Sequence, residues 1–275
     1  MLFDVQAIFF DLGDTLVHIK PEILQTVCGK IGRSRGYPLK IDEYEIAFQK
    51  EWSKRRSPAY MHLIKGVSTH KKEIIYWESF FASLLTTLRA DRNNLGFVKW
   101  LANIYSNSRA FDCFKDVHPV LAELKASRFK LGLISNAFPS ADEIIKDLDI
   151  RQYFDYSLLS FESNYIKPEP EIYRFAVEKL EVEIQKTIFV DDHQGFVEAA
   201  GNLGMNAYLI ERFSNQHPKL ATESRPQKIY NLFQLRDTIL GESGKTKRTS
   251  SHSNAKKGNE DKPLPIMPAN SFAIP

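Results

Sequence analysis

The stretch Ala7-Ile8-Phe9-Phe10-Asp11-Leu12-Gly13-Asp14-Thr15-Leu16 decides how the rest of the chain is read. Four apolar residues run into a carboxylate, and a glycine and a second aspartate then break the run. An unbroken apolar run of this length, rich in aromatic and β-branched residues, predicts a strand buried on both faces, as in a parallel sheet. Asp11 then stands at the carboxyl end of that strand. In open α/β sheets the crevice outside the carboxyl ends is where ligands bind, so position alone marks Asp11 as a candidate. A plain Asp-Leu-Gly-Asp turn ending a strand explains the same residues, and later segments have to decide.

A chain of 275 residues that is 43% hydrophobic has enough apolar surface for one large domain or a domain with an insertion. Cys28 and Cys113 stand far apart and outside any Cys/His cluster, which argues against a disulfide framework or a structural zinc site. The first residues lack a basic start and a small-residue cleavage pattern, and no apolar run approaches the roughly 18 residues of a spanning helix. No membrane partner and a cytoplasmic location are the expectations. The net charge of +3 has a single source: residues 241–275 carry Lys245, Lys247, Arg248, Lys256, Lys257 and Lys262 against Glu242, Glu260 and Asp261. The remainder is balanced, so the body has no overall attraction for a phosphate backbone. Nucleic-acid binding is expected at most as weak contact by the tail. That tail is dominated by Gly, Ser, Lys, Asn and Pro, a composition that predicts disorder.

Between Pro21 and Phe111 the pattern is helical and offers no buried strand. Pro21, Ile23, Leu24, Val27 and Ile31 share one helical face, with Pro in the first turn where its missing N–H costs nothing. Ile41 to Trp52, Ser68 to Leu88 with Ser68 or Thr69 as cap, and Phe97 to Tyr105 supply three more helices. From Val117 onward helices and strands alternate: strands at Leu131 to Ser135, Tyr156 to Ser160, Thr187 to Val190 and Ala207 to Ile210, with helices between them and a last one over Ile229 to Leu240. That alternation predicts βαβ units in a parallel sheet covered by helices on both faces.

The predicted strands of the second half end in polar residues at the same end: Ser135-Asn136 after one, Asp191-Asp192 after another, with Lys167-Pro168-Glu169-Pro170 ahead of a helix. In a parallel sheet these ends are neighbours. Asp11, hydroxyl and amide donors, a lysine and further carboxylates can then converge as a kit for an anion beside a hard divalent cation. These four segments, in this order, resemble the haloacid dehalogenase superfamily, with its nucleophile, Ser/Thr, lysine and acid loops. The likeness covers about residues 7 to 210. It implies a Rossmann-like α/β core at 1–19 and 112–240 with an inserted helical cap at 20–111, leaving the tail at 241–275. It also implies a Mg²⁺-dependent hydrolase of a small phosphate ester, with Asp11 as nucleophile and an aspartyl-phosphate intermediate. Thr15, Ser135 and Asn136 would donate to the phosphoryl oxygens and Lys167 would neutralise charge. Asp11, the Gly13 carbonyl and Asp192 would hold Mg²⁺, supported by Asp191.

The chain departs from that pattern at Gly13, where phosphatases of the superfamily carry a second aspartate that protonates the leaving group. Asp14, one residue on, is the remaining acid. The same gap, with Ser135-Asn136 and Lys167 followed by Tyr173, resembles the metal-independent 2-haloacid dehalogenases, and a catalytically weak binding protein is a third reading. Asp191-Asp192 favours the metal, because a carboxylate at 192 repels an anionic substrate unless a cation lies between them. Phe196 stands where relatives commonly have Asn or Asp. In the insert, Phe48, Trp52, Trp77 and Phe80 are expected to pack the bundle, Lys54-Arg55-Arg56 to form a solvated helix face, and His18 to lie near the hinge.

Overall fold

The computed structural model describes residues 4–55, 64–213 and 227–241; Arg56 and the tail at 242–275 lie outside them. Strand β1 (Ala7–Phe10) is fully buried and occupies the middle of a six-stranded sheet. The others are β4 (Lys130–Ser135), β5 (Tyr156–Leu159), β6 (Thr187–Asp191), β7 (Asn206–Ile210) and β8 (Gln227–Ile229), in the order β5-β4-β1-β6-β7-β8 with every pair parallel. Phe9 is in register with Gly132 on one side and Phe189 on the other.

Successive side chains of a strand point to opposite faces, and β1 divides its residues accordingly. Ile8 and Phe10 pack with α5 (Val117–Ala126), α6 (Ser140–Asp147) and α9 (Leu232–Leu240), through residues such as Leu121, Ile145 and Leu235. Ala7 and Phe9 pack with α7 (Pro170–Lys179) and α8 (Gln194–Asn202), through Ile172, Ala176, Phe196 and Ala200. The apolar run that looks undifferentiated in the sequence thus serves two separate cores. Gly132 is required by this packing. A Cβ there would stand 2.5 Å from Phe9 Cε1 and 3.3 Å from Leu180 Cδ1.

Two short strands absent from the sequence reading, β2 (Val17–Ile19) and β3 (Phe111–Cys113), pair antiparallel as a ribbon through which the chain leaves the sheet and returns. Such three-residue segments carry too little periodicity to be read locally, and their pairing partner lies far away in sequence. His18 sits in this ribbon, its ring tilted against Phe114 with the centroids 4.6 Å apart. β8 likewise takes in Ile229, which the apolar pattern assigns to the last helix.

Between β2 and β3 the described residues include the helices α1 (Pro21–Arg35), α2 (Ile41–Arg55), α3 (His70–Thr87) and α4 (Leu95–Tyr105). Pro21 occupies the first turn of α1, and Thr69 caps α3 by accepting from Lys72 N at 3.3 Å. Their core is aromatic, with the Trp52 and Trp77 rings stacked at 5.7 Å and Phe48 and Phe80 beside them. The basic run differs from its expected solvated face. Arg55 is buried, pairs with Glu51 at 3.0 Å, donates to Ser79 and lies over the Tyr76 ring, so aromatic packing claims its side chain. The helical segment also reaches back to the loop and helix that follow β4. Phe138, in the loop after β4, packs against Tyr76 and Trp77. The buried Glu73 carboxylate accepts from Ser140 N and Oγ at 3.0 and 2.5 Å, serving the open first turn of α6.

Gly132→Ala is expected to lower the stability of the chain by about 1–3 kcal/mol through overpacking against Phe9. Urea unfolding of the two chains measures it, and an unchanged midpoint would mean that the sheet yields at this point.

Candidate active site

The carboxyl ends of β1, β4 and β6 lie side by side, and each delivers a polar group. Asp11 follows β1, Ser135 ends β4 and Asp191 ends β6. Lys167 comes from the loop ahead of α7 and inserts its ammonium among them, at 2.5 Å from Asp11 Oδ1 and 2.6 Å from Asp191 Oδ2. Ser135 Oγ donates to the same Asp11 Oδ1 at 3.0 Å. The His193 amide donates to the other oxygen of Asp191 at 2.7 Å. All four side chains are buried.

The electrostatics follow from one cation shared by several acids in a dry site. Burial pulls the Lys167 ammonium down, but the attraction of Asp11 and Asp191 outweighs it and holds the lysine above its ordinary value. Burial pushes the Asp191 carboxyl up to about 6 against the pull of Lys167, and the Asp11 charge adds to the rise. Phe196 completes the enclosure: its ring lies under the Lys167 ammonium at 5.1 Å, and its carbonyl accepts from the Tyr173 hydroxyl at 3.0 Å. A position that reads in the sequence as a lost polar residue is therefore part of the lysine's packing.

Asn136 differs from its expected place as a ligand donor. Its Nδ2 donates to the Lys167 carbonyl at 2.8 Å and its Oδ1 accepts from the Lys167 amide at 2.7 Å. The side chain is committed to clamping the lysine loop by both backbone groups of one residue. Glu169 turns back onto the same loop, accepting from Ile166 N at 3.2 Å, and pairs with Lys65 of the helical segment at 3.0 Å.

Asp192 joins Asp11 and Asp191: carboxylate oxygens from the three lie within 4.8 Å of one another. Three oxygen-donor groups this close together suit a hard cation. Thr15 is fully buried in the turn after Asp11, and its Oγ1 has no hydrogen-bond partner among the described residues. A buried hydroxyl without a partner is costly, which marks it as a group that a ligand would satisfy. Gly13 is exposed, and a Cβ built on it meets nothing within 4 Å. Asp14 has a left-handed backbone with φ of 55°. Its charge is felt on the helical segment, where burial first and Asp14 next raise the carboxyl of Glu45.

A family model described as a haloacid dehalogenase-like hydrolase matches residues 5–204. The chain belongs to this family. Its relatives within the haloacid dehalogenase-like hydrolases include haloacid dehalogenase-like hydrolase domain-containing protein 3 of Danio rerio, 22% identical over 80% of this chain and 90% of that one. The glyceraldehyde 3-phosphate phosphatase of Pyrococcus abyssi is 26% identical over 73% of this chain and 79% of its own length. Among solved structures, the L-2-haloacid dehalogenase of Xanthobacter autotrophicus superposes with a TM-score of 0.63 at 19% identity, covering 86% of this chain and 99% of that one. No helix among the described residues is long and apolar enough to cross a membrane.

Lys167→Met leaves Asp11 and Asp191 facing each other without their buried cation. In metal-free buffer the substitution is expected to cost about 3–5 kcal/mol of stability, read by urea unfolding, the cost of breaking a buried ion pair from one side. A cost near zero would show that the two carboxylates find another partner or share a proton.

Proposed function

We propose that this haloacid dehalogenase-like hydrolase is a Mg²⁺-dependent phosphomonoester hydrolase acting on a small phosphorylated substrate. The observation that carries the reading is the grouping of the Asp11, Asp191 and Asp192 carboxylates, two of them paired with Lys167, with the unsatisfied Thr15 hydroxyl in the turn four residues after Asp11. Three carboxylates repel an anionic substrate unless a cation lies between, and a transferring phosphoryl group needs both that cation and hydroxyl donors. The phosphatase named among the relatives supports the same class.

In this reading Asp11 attacks phosphorus, the ester P–O bond breaks, and water later releases phosphate from the aspartyl-phosphate and restores the carboxylate. Asp11 and Asp192, with the Gly13 carbonyl, are the groups that would hold Mg²⁺, which supplies charge neutralisation at the phosphoryl oxygens when bound. Asp191 has both oxygens engaged, by Lys167 and by the His193 amide, and so orients the lysine. Lys167 and Ser135 fix Asp11 through one oxygen and stabilise the charge that grows during transfer. Thr15 donates its hydroxyl to the phosphoryl group. Asn136 contributes by holding Lys167 in place. The helices between β2 and β3 act as a cap over the strand ends, closing on substrate and excluding water.

Gly13 has no proton to give the leaving group, which favours leaving groups that need none. The same gap, with Tyr173 following Lys167, supports the second reading, a metal-independent dehalogenase that displaces halide from a 2-haloacid through Asp11. The binding-protein reading requires that Asp11 perform no turnover.

Release of inorganic phosphate from an aryl phosphate is expected with Mg²⁺, and its loss is expected with EDTA and in Asp11→Asn. Chloride release from 2-chloropropionate in EDTA would replace this reading with the dehalogenase, and a folded chain inactive on both would leave the binding protein. For the wild type, aryl phosphates should turn over faster than alkyl phosphates by about 10²–10⁴, the usual worth of a general acid. Because position 13 has room for a side chain, Gly13→Asp should narrow that gap by speeding alkyl esters. Equal rates on both ester classes in the wild type would show that Asp14 already supplies the proton.

A further inference from the structure

Arg212 is a buried cation that the proposed reaction does not use. It follows β7 by two residues, and its side chain is 4% exposed. Nε and Nη2 donate to the Thr15 carbonyl at 3.0 and 2.7 Å. Nη1 donates to Asp116 Oδ2 at 2.6 Å, and the guanidinium lies 4.3 Å from the centre of the Phe114 ring. Asp116 Oδ2 also accepts from Leu232 N at the start of α9, at 2.6 Å. The arginine is thus pinned by charge on one edge and by an aromatic face, while its remaining donors grip one backbone oxygen.

That oxygen belongs to the residue with the bare buried hydroxyl. Around it the turn closes on itself, with Leu16 N and Val17 N both donating to the Leu12 carbonyl, and Phe114 N donates to the Leu16 carbonyl. Two N–H groups of one planar fork fix the direction of the Thr15 carbonyl as well as its distance. The planar peptide unit and the stiff β-branched side chain carry that direction to Oγ1.

We propose that Arg212 is a positioning residue for catalysis: by gripping the Thr15 carbonyl it sets where the Thr15 hydroxyl meets the transferring phosphoryl group. This rests on the phosphatase reading of the site. Arg212 touches no substrate, so its effect belongs in turnover and acts through Thr15. Asp116 and Phe114 hold the guanidinium in the orientation that the grip needs.

The test compares wild type, Arg212→Lys, Thr15→Val and the double variant on an aryl phosphate with Mg²⁺. Lysine keeps a charge for Asp116 but cannot present the fork. Arg212→Lys is expected to lower kcat by roughly 10–100-fold, the cost of a displaced catalytic group, with KM close to wild type. In the Thr15→Val background the same change should cost little more, because both act through one hydroxyl. Amide exchange over residues 12–17 should be faster in Arg212→Lys while that of β1, β4 and β6 is unchanged. Losses that multiply in the double variant, or unchanged exchange in the turn, overturn the proposal and leave a purely structural ion pair. If Arg212→Lys does not fold, Asp116→Asn, which loosens the guanidinium and keeps an acceptor for Leu232 N, enters the same cycle with the same expected non-additivity. A wild type that releases no phosphate overturns the phosphatase reading instead, and the exchange comparison then decides the grip by itself.

Discussion

The ammonium of Lys167 is the constraint on which the site depends. β1 and β6 are adjacent in the sheet, so their terminal acids, Asp11 and Asp191, are brought together by the strand order itself. Two buried carboxylates repel, and desolvating each ion costs several kcal/mol. The ion pairs on Lys167 offset that cost only if the lysine is held in place. The surrounding structure holds it from several sides: Asn136 clamps its backbone, Asp191 and Asp11 fix its head, and Phe196 and Phe189 pack against it.

This explains why residues with no chemistry of their own line the site. Asp191 is stabilised in turn by the His193 amide, so its orientation is set by backbone that leads into α8. Tyr173 on α7 bonds the Phe196 carbonyl at the start of α8, tying together the two helices that cover this face of the sheet. At the Thr15 end of the Asp11 loop, the Arg212 and Asp116 pair joins the ends of β7, α5 and α9. The loop that carries Asp11 and Thr15 is therefore held between two buried cations, one facing the side chain of Asp11 and the other the backbone of Thr15.

The charge balance of the site is what gives it a direction chemically. One lysine pairs with two of three clustered acids, and burial first, with the Asp11 charge adding to it, pushes Asp191 up against the pull of Lys167. In the proposed phosphatase reading a cation completes the acid cluster and an anionic oxygen completes the unsatisfied Thr15 hydroxyl. The two needs together describe a phosphoryl group with its metal better than either alone.

The apolar run ending at Asp11, the alternation of helices and strands after Val117 and the polar strand ends determined the α/β core from sequence alone, and with it the meeting of Asp11, Ser135, Lys167 and Asp191. That is because strand burial and position at a carboxyl end are local properties, written in consecutive residues. The helices of the insert were legible for the same reason, through their apolar spacing. The ribbon of β2 and β3, the edge strand β8 and the buried state of Arg55 were not, since each depends on a partner distant in the chain. Tertiary structure alone decided that Asn136 serves the lysine loop and that Phe196 packs under Lys167. Only there, too, does Arg212 reach Thr15, a residue 197 positions away. A side chain's composition states which bonds it can make, and only the folded neighbourhood selects among them.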